Sequence, residues 1–590
     1  MKKLLIISTL FAGLLPGLSS CRKDLNEYNP SNTTADALWT TPQGFITAVN
    51  GAYSFVPYLY GNDENQLFLA ESGTDLWYNY NKSNYDVDLT QYKNFTSASN
   101  PVKGVWSTLY KAINQCNAGI GRIGKAGFTS LTERNKREAE LRFLRGFYYW
   151  HVVETWGNVI LDTTETQGVD LTAKRSSVDD FYSLITSDLK FAVANLPVKS
   201  DGTWEYGRAT QGAALGFLAR AYLSWAYQTT GSAAVTYFQQ AHDLAQQVIN
   251  RKADFNADLY PNYADVWDPN NRLPNSTAKN NKESLFTATY STNTALNING
   301  NADRTHMWFL TNYSGFSGSS IPGLTLSMPY GNDQKNRRFM PTRALLDYYN
   351  DQMDSRYDGS FQEVWLCNKA YTWTAGDAAT FKKDASIVGK SMKVGDTAMW
   401  ITKKSVPDKA FRPYAVFDRD STYFASTGAI NGGDHYVVLK KYLDPLTRTG
   451  TTTYPGFLDV IVMRLAEMYL IVAEADLKLN NTAEAATFIN VLRTRAAKKT
   501  PVNYTAAMQV SASDISTDFI LKERARELCG EYMRWFDIKR MLSGTDFVNF
   551  IQQYNPDINS VIPQYRLRPV PLSEIQALTN GGEFGQNPGY

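Results

Sequence analysis

Histidine and cysteine are scarce in this 590-residue chain, with four of each. His151, His242, His306 and His435 form no HExxH or H-x-x-H pairing, and no CxxC is present to hold zinc, so the common metal-hydrolase signatures are excluded. No G-x-S-x-G nucleophile elbow occurs; "GFSGSS" from Gly315 has the wrong spacing. His151 and Glu154 share "WHVVETW", among aromatics that point to a satisfied core histidine rather than a ligand. "GIGRIGKA", Gly119 to Ala126, resembles a phosphate-binding loop, but Ala126 stands where Ser or Thr would hold magnesium, and Gly124 and Gly127 read as helix terminators. Net charge is also missing: the chain has 59 Lys+Arg against 57 Asp+Glu, and without Lys2 and Lys3 the balance is 57 to 57. That balance argues against the broad, clustered basic surface a nucleic-acid partner needs.

Long apolar runs are absent too, and the one at 4–15 is about a dozen residues, too short for about 30 Å of hydrocarbon. With Lys2 and Lys3 before it and Pro16-Gly17 behind, it has the layout of a secretory signal. Leu18-Ser19-Ser20-Cys21 resembles the lipobox of bacterial lipoproteins, which implies removal of 1–20 and acylation of Cys21 as the membrane anchor. Cys116, Cys367 and Cys529 then remain, too few and too dispersed for a disulfide framework.

The polar segment 21–37 reads as a tether. Helical periods follow: Thr41-Pro42 opens one, a second runs over about 105–123, and Ser130 with Glu133 opens the longest, "REAELRFLRGFYYWHVVETW". Apolar stripes on two sides of that helix predict neighbours on both, as in a stacked array. Further helices are predicted at about 178–195, 209–229 and 233–251. From about 255 to 455 the chain is rich in Asn, Gly, Ser, Thr and aromatics, with strand character in "ESLFTATYS" and "HYVVLKKYL". "VIVMRLAEMYLIVAEADLKLNNTAEAATFINVLRTRAA" then predicts a tetratricopeptide-like helical hairpin from Val460 to Ala497, followed by helices at about 514–528 and 530–542. The expected fold is mainly α: helical hairpins over 38–254 packed with 456–590, and an irregular α+β subdomain inserted at 255–455.

Aromatics are plentiful, at 13% of residues. In "ESGTDLWYNYNKSNYD", Trp77, Tyr78, Tyr80 and Tyr85 alternate with Asp75, Asn81 and other polar residues, a mixture suited to a sugar: rings cover C–H faces and polar groups bond hydroxyls. "HMWFLTNYSGFSG" adds Trp308, Phe309, Tyr313 and Phe316, and a third set lies around Tyr371, Trp373 and Trp400. The expected ligand residues are Asp75, Trp77, Tyr78, Tyr80, Asn81, Trp308, Phe309 and Tyr313. Acidic pairs such as Asp75 with Glu71 or Asp88 would serve a glycoside hydrolase only if a cleft set their separation. In "ERARELCGEYMRWFDIKR", charges alternate at three- and four-residue spacings, the pattern of ion-paired helix faces, and read as structural. No catalytic, metal or cofactor residues are expected; a structural calcium ion is compatible with the insert but not signalled.

Nine blocks in order resemble the SusD/RagB family of outer-membrane nutrient-uptake lipoproteins. They are the lipobox, "TPQGFITAVNGAY", "VWSTLYKAINQCN", "EAELRFLRGFYYWHVVETWGNVIL", "GRATQGAALGFLARAYL", "MPTRALLDYYNDQMDSRYDGSF", "RLAEMYLIVAEADLKL", "KERARELCGEYMRWFDIKR" and the "RPVPLSEI…QNPGY" ending. The resemblance implies a non-catalytic, lipid-anchored protein on the cell surface that captures oligosaccharide and hands it to a SusC-like TonB-dependent transporter in the outer membrane. Ligand contacts would come from the Trp77 and Trp308 neighbourhoods, by region. A peptide-binding member of the family, a glycoside hydrolase and a protein-only helical scaffold are the competing readings.

Overall fold

In the computed structural model, which describes residues 38–80, 87–274, 281–332 and 338–590, helix α1 (Pro42–Tyr53) starts where the Thr41 hydroxyl accepts the Gly44 N–H at 3.2 Å. Cys21, the tether, Asn81 and Tyr85 lie outside the described residues. Helix α2 (Asn65–Glu71) is followed by strand β1 (Trp77–Tyr78), then by helices α3 (Asn100–Arg122) and α4 (Leu131–Trp156). Ser130 caps α4 by accepting the Glu133 N–H at 3.2 Å, and Gly157, at φ 71°, ends it in a backbone region that glycine enters without strain. Helices α5 (Val178–Asn195), α6 (Gln211–Gln228) and α7 (Gly231–Asn250) complete the first run.

Each helix from α3 to α7 packs on the next. Helix α4 is buried on both sides between α3 and α5, as its two apolar stripes require. Gly216 and the alanines of α6 allow close approach: a β-carbon at Gly216 would come within 2.7 Å of the Met463 sulfur.

Between α7 and residue 460 the chain leaves the array for short strands and turns. Strand β2 (Ser284–Ala288) belongs to a two-stranded ribbon, and β3 (Gly315–Phe316) pairs with β4 (Ser319–Ser320) across Ser317 and Gly318, both at positive φ, as a two-residue hairpin turn favours. Strand β5 (Met340–Pro341) pairs antiparallel with β1, setting Trp77 opposite Pro341 and Tyr78 opposite Met340. A three-stranded sheet follows: β6 (Val364–Leu366) is antiparallel to β7 (Thr397–Ile401), which is parallel to β8 (Ala415–Phe417).

Strand β9 (Val460–Arg464) pairs with β2 and returns the chain to the array. The sequence reading takes Val460 as helical. The structure starts helix α8 at Leu465, because Val460-Ile461-Val462 is β-branched and finds a strand partner more than 170 residues away in sequence. Helix α8 (Leu465–Lys478) packs directly on α7, so the stack continues across the excursion, and α9 (Thr482–Ala496) forms the second arm of the predicted hairpin. Helix α10 (Thr517–Leu528) leans on α8, and α11 (Arg534–Met541) packs back on α2. A helix not anticipated from sequence, α12 (Gly544–Tyr554), buries Phe547, Phe550 and Ile551. "HYVVLKKYL" yields only a two-residue strand, Val438–Leu439.

Candidate functional site

Most of the ring-bearing residues nominated from sequence are core. Trp77 is 1% exposed and its indole N–H donates to Glu71 Oε2 at 2.8 Å, while Tyr78, equally buried, donates to the Gly428 carbonyl at 2.9 Å. Trp308, Phe309 and Tyr313 are buried, with Phe309 5.1 Å from Trp77 ring to ring and Tyr313 donating to the Gly331 carbonyl at 2.7 Å. Asp75 is fully buried, accepts from the Tyr348 hydroxyl and pairs with Arg534 at 2.6 Å. These six side chains therefore present nothing to solvent, because the polar residues between the rings are spent on internal hydrogen bonds. In the third set Trp373 is also buried, and Trp400 donates to Glu363 at 3.2 Å. Glu71 is buried beside Asp75, so that acidic pair faces no cleft.

Tyr80 differs. It is half-buried and lines a cavity of about 610 Å³ with Phe316, Phe381 and Phe417. Each ring reaches the cavity by a separate route. Tyr80 follows β1; Phe316 sits at the tight β3–β4 turn; Phe417 ends β8; and Phe381 ends the short helix Ala375–Thr380, whose Thr374–Asp377 capping box fixes its start. Phe316 packs 5.0 Å from Phe381 and 5.2 Å from Phe417. His435 lies parallel on Phe417 at 3.9 Å, and its Nε2 is 3.1 Å from the Gly315 carbonyl oxygen.

Hydroxyl, amide, ammonium and carboxylate groups line the rest of the wall, among them Thr380, Ser421, Asn431, Lys383, Lys409 and Asp434. Lys409 pairs with Asp418 at 2.7 Å. Lys383 donates to the Lys409 carbonyl at 2.6 Å, and burial, reinforced by the Lys409 ammonium, pulls its pKa down to about 8. The lining offers four partly exposed aromatic rings and hydrogen-bonding groups of both polarities. A second cleft, of about 600 Å³ beside Tyr348 and Tyr554, is less suited to stacking, since the Lys522 ammonium already sits over both rings, 5.8 and 5.1 Å away.

Residues 255–590 match a family model described as the SusD family, and residues 25–223 match one described as starch-binding and associating with the outer membrane. The chain belongs to the SusD family. SusD-like protein P2 of Formosa agariphila is 25% identical over 513 residues, which is 85% of this chain and 83% of that protein. Among solved structures, a SusD homologue of Bacteroides thetaiotaomicron has TM-score 0.67 at 20% identity, covering 95% of this chain and 99% of its own. A laminarin-binding SusD-like protein has TM-score 0.64 at 18% identity, covering 93% and 100%. Surface glycan-binding protein A of B. thetaiotaomicron has 0.63 at 18%, with the same coverage. These structural likenesses show the SusD fold, and no helix among the described residues is long and apolar enough to cross a membrane.

Of the residues that line this cavity in the SusD-family chain, the sequence reading nominates Tyr80 and Phe316 and does not nominate Phe381, Phe417 or His435. Phe381 stands alone beside charged residues in "TFKKD", and Phe417 follows Phe411 and Tyr414 in "FRPYAVFDRD", an aromatic run that the sequence reading does not single out. The available signal was Gly432-Gly433 just before His435, a backbone thin enough for a ring to lie on.

Proposed function

We propose that this chain is a non-catalytic glycan-binding lipoprotein of the outer membrane, which takes an oligosaccharide into the cavity between Tyr80, Phe316, Phe381 and Phe417 and passes it to a SusC-like TonB-dependent transporter. The observation that carries the reading is the lining itself: four half-buried rings beside hydroxyl, amide and ammonium groups, in a chain whose structural neighbours include proteins named for laminarin and surface-glycan binding. Rings of this kind stack on the C–H faces of a pyranose while the polar groups take its hydroxyls. The carboxylates once considered as a hydrolytic pair, Asp75 and Glu71, are committed to Arg534 and to the Trp77 N–H, which favours capture over cleavage. Cys21 would hold the protein at the membrane and 21–37 would give it reach.

Calorimetry with β-glucan and malto-oligosaccharides tests the reading. Tyr80→Ala and Phe316→Ala should each weaken binding about tenfold or more, equivalent to about 1.4 kcal/mol, with no reducing ends released. Unchanged affinity in both variants overturns the site, and accumulating reducing ends overturn the non-catalytic assignment. Cys21→Ala should move the protein from the membrane to the soluble fraction, and a tagged wild-type chain should retain the transporter on purification.

A further inference from the structure

Helix α8 carries three buried carboxylates, and two are neutralised by arginine. Glu467 accepts from Nε and Nη2 of Arg220, at 2.8 and 2.6 Å, and Glu474 accepts from Arg540, at 2.8 Å on each oxygen. The third, Asp476, is completely buried, yet among the described residues no lysine or arginine lies within 4 Å of it, and neither of its oxygens has a hydrogen-bond partner. An uncompensated buried carboxylate is costly unless a cation joins it.

The group facing Asp476 is an imidazole. His242 Nε2, on α7, is 3.6 Å from Asp476 Oδ1 and 3.6 Å from Glu484 Oε1, on the first turn of α9, and the three ligand atoms lie within 4.8 Å of one another. A tetrahedral ion with bonds of about 2.0–2.2 Å spaces its ligand atoms about 3.3–3.6 Å apart. His242 Nδ1 is 3.0 Å from the Asp243 carboxylate, the outer contact that fixes a metal-ligating imidazole with Nε2 free to bind. Glu484 is 45% exposed at its side chain, which leaves an entry path and an open position for water.

We propose that His242, Asp476 and Glu484 form a site for one divalent transition-metal ion of zinc type, joining the last helix before the long excursion to the first two after it. The nitrogen-plus-carboxylate donor set suits zinc better than calcium, which takes six to eight oxygens. The site lies outside the glycan cavity and does not depend on glycan binding. Its consequence is mechanical: the ion would pin α7 to α8 and α9, where the chain itself runs through some 200 intervening residues.

The full chain, purified in detergent, stripped with EDTA and dialysed, tests this by calorimetric titration with ZnCl₂ and by thermal melting. One saturable equivalent of Zn²⁺ and a melting temperature that climbs with free Zn²⁺ are expected. His242→Ala and Glu484→Gln should each weaken binding tenfold or more. Because nearly half of the Glu484 side chain is exposed, Glu484→Gln keeps the fold and remains informative if changes at Asp476 do not. Absence of saturable Zn²⁺ binding, or binding undiminished in both variants, overturns the proposal.

Discussion

The Tyr80 ring lies on the backbone of Gly433 with no space between them: a β-carbon at Gly433 would overlap ring atoms Cε2 and Cδ2. Gly433 thus sets the height and tilt of Tyr80, the one ring that the described residues of the first aromatic segment contribute to the cavity. Gly433→Ala should displace Tyr80 and lower oligosaccharide affinity about as much as Tyr80→Ala does. Its melting temperature should stay within a few degrees of wild type, since Gly433 is on a half-buried loop. Calorimetry and thermal melting on the same sample separate the two effects. A variant that binds normally would show that Tyr80 is not held from this side.

Trp77 and Trp308 behave oppositely. Both are buried, and Trp77 also gives a hydrogen bond to Glu71. Truncating a core tryptophan costs about 3–5 kcal/mol. Trp77→Ala and Trp308→Ala should therefore lower the unfolding free energy measured in urea by about that much, while any fraction that remains folded binds glycan as wild type does. Full stability with lost binding would return the two rings to the ligand surface.

The contrast between Tyr80 and Trp77 shows what was legible in advance and what was not. Helical periodicity is local, so α5 is found where its pattern predicts, at Val178–Asn195, and Ser130 caps α4 as read. Val460–Arg464 was misread because its state depends on β2, far away in sequence, which local periodicity cannot register. The aromatic segments were visible, but whether a ring faces water depends on what packs over it. Pro341 and Met340 face Trp77 and Tyr78 across the β1–β5 pairing, and Glu71 satisfies the Trp77 indole. Phe381 and Phe417 join the cavity only because β8 and a short capped helix bring them together, a tertiary fact with no one-dimensional trace. Likewise, the alternating charges of "ERARELCGEYMRWFDIKR" were read correctly as paired, yet most of them pair inside the protein rather than along a wet helix face.

Glu71 should leave a mark on stability against pH. Burial raises its pKa to about 7, against the opposing pull of the N–H groups of Trp77, Met533 and Arg534. A carboxyl with a raised folded pKa binds more protons folded than unfolded, so its contribution is fully present below about pH 4.3 and is lost as the pH rises to about 7. The loss is on the order of 3 kcal/mol. Glu71→Gln does not titrate, so the stability of wild type relative to the variant should fall by about that much between pH 4.3 and 7. Urea unfolding at several pH values measures the difference, and parallel curves would mean that Glu71 stays ionised in the fold.

Arg464 governs the opposite end of the pH scale. Its guanidinium reaches Glu531 and Glu527 at 2.8 Å and Glu283 at 3.1 Å, all buried, and Arg495 and Arg356 close the cluster from α9 and from the excursion. Burial alone would push Glu527 up, but Arg495, Arg464 and Arg356 together pull it down to about 2, and Glu523 is held low by Arg356, Arg526 and Arg493. Carboxylates with depressed folded pKa values stabilise the fold above about pH 4.3, and that stability drains away as the pH falls toward 2. Removing one partner of a buried pair leaves the others uncompensated, at a cost of about 3–5 kcal/mol. Arg464→Met should therefore lower stability at pH 7 by that amount. It should also move the acid-unfolding midpoint upward, because Glu527 then takes up its proton at a higher pH. Acid titration followed by tryptophan fluorescence reads the midpoint. A variant as stable as wild type at pH 7, with an unmoved midpoint, would show that Arg495, Arg356 and Lys441 neutralise the cluster without it.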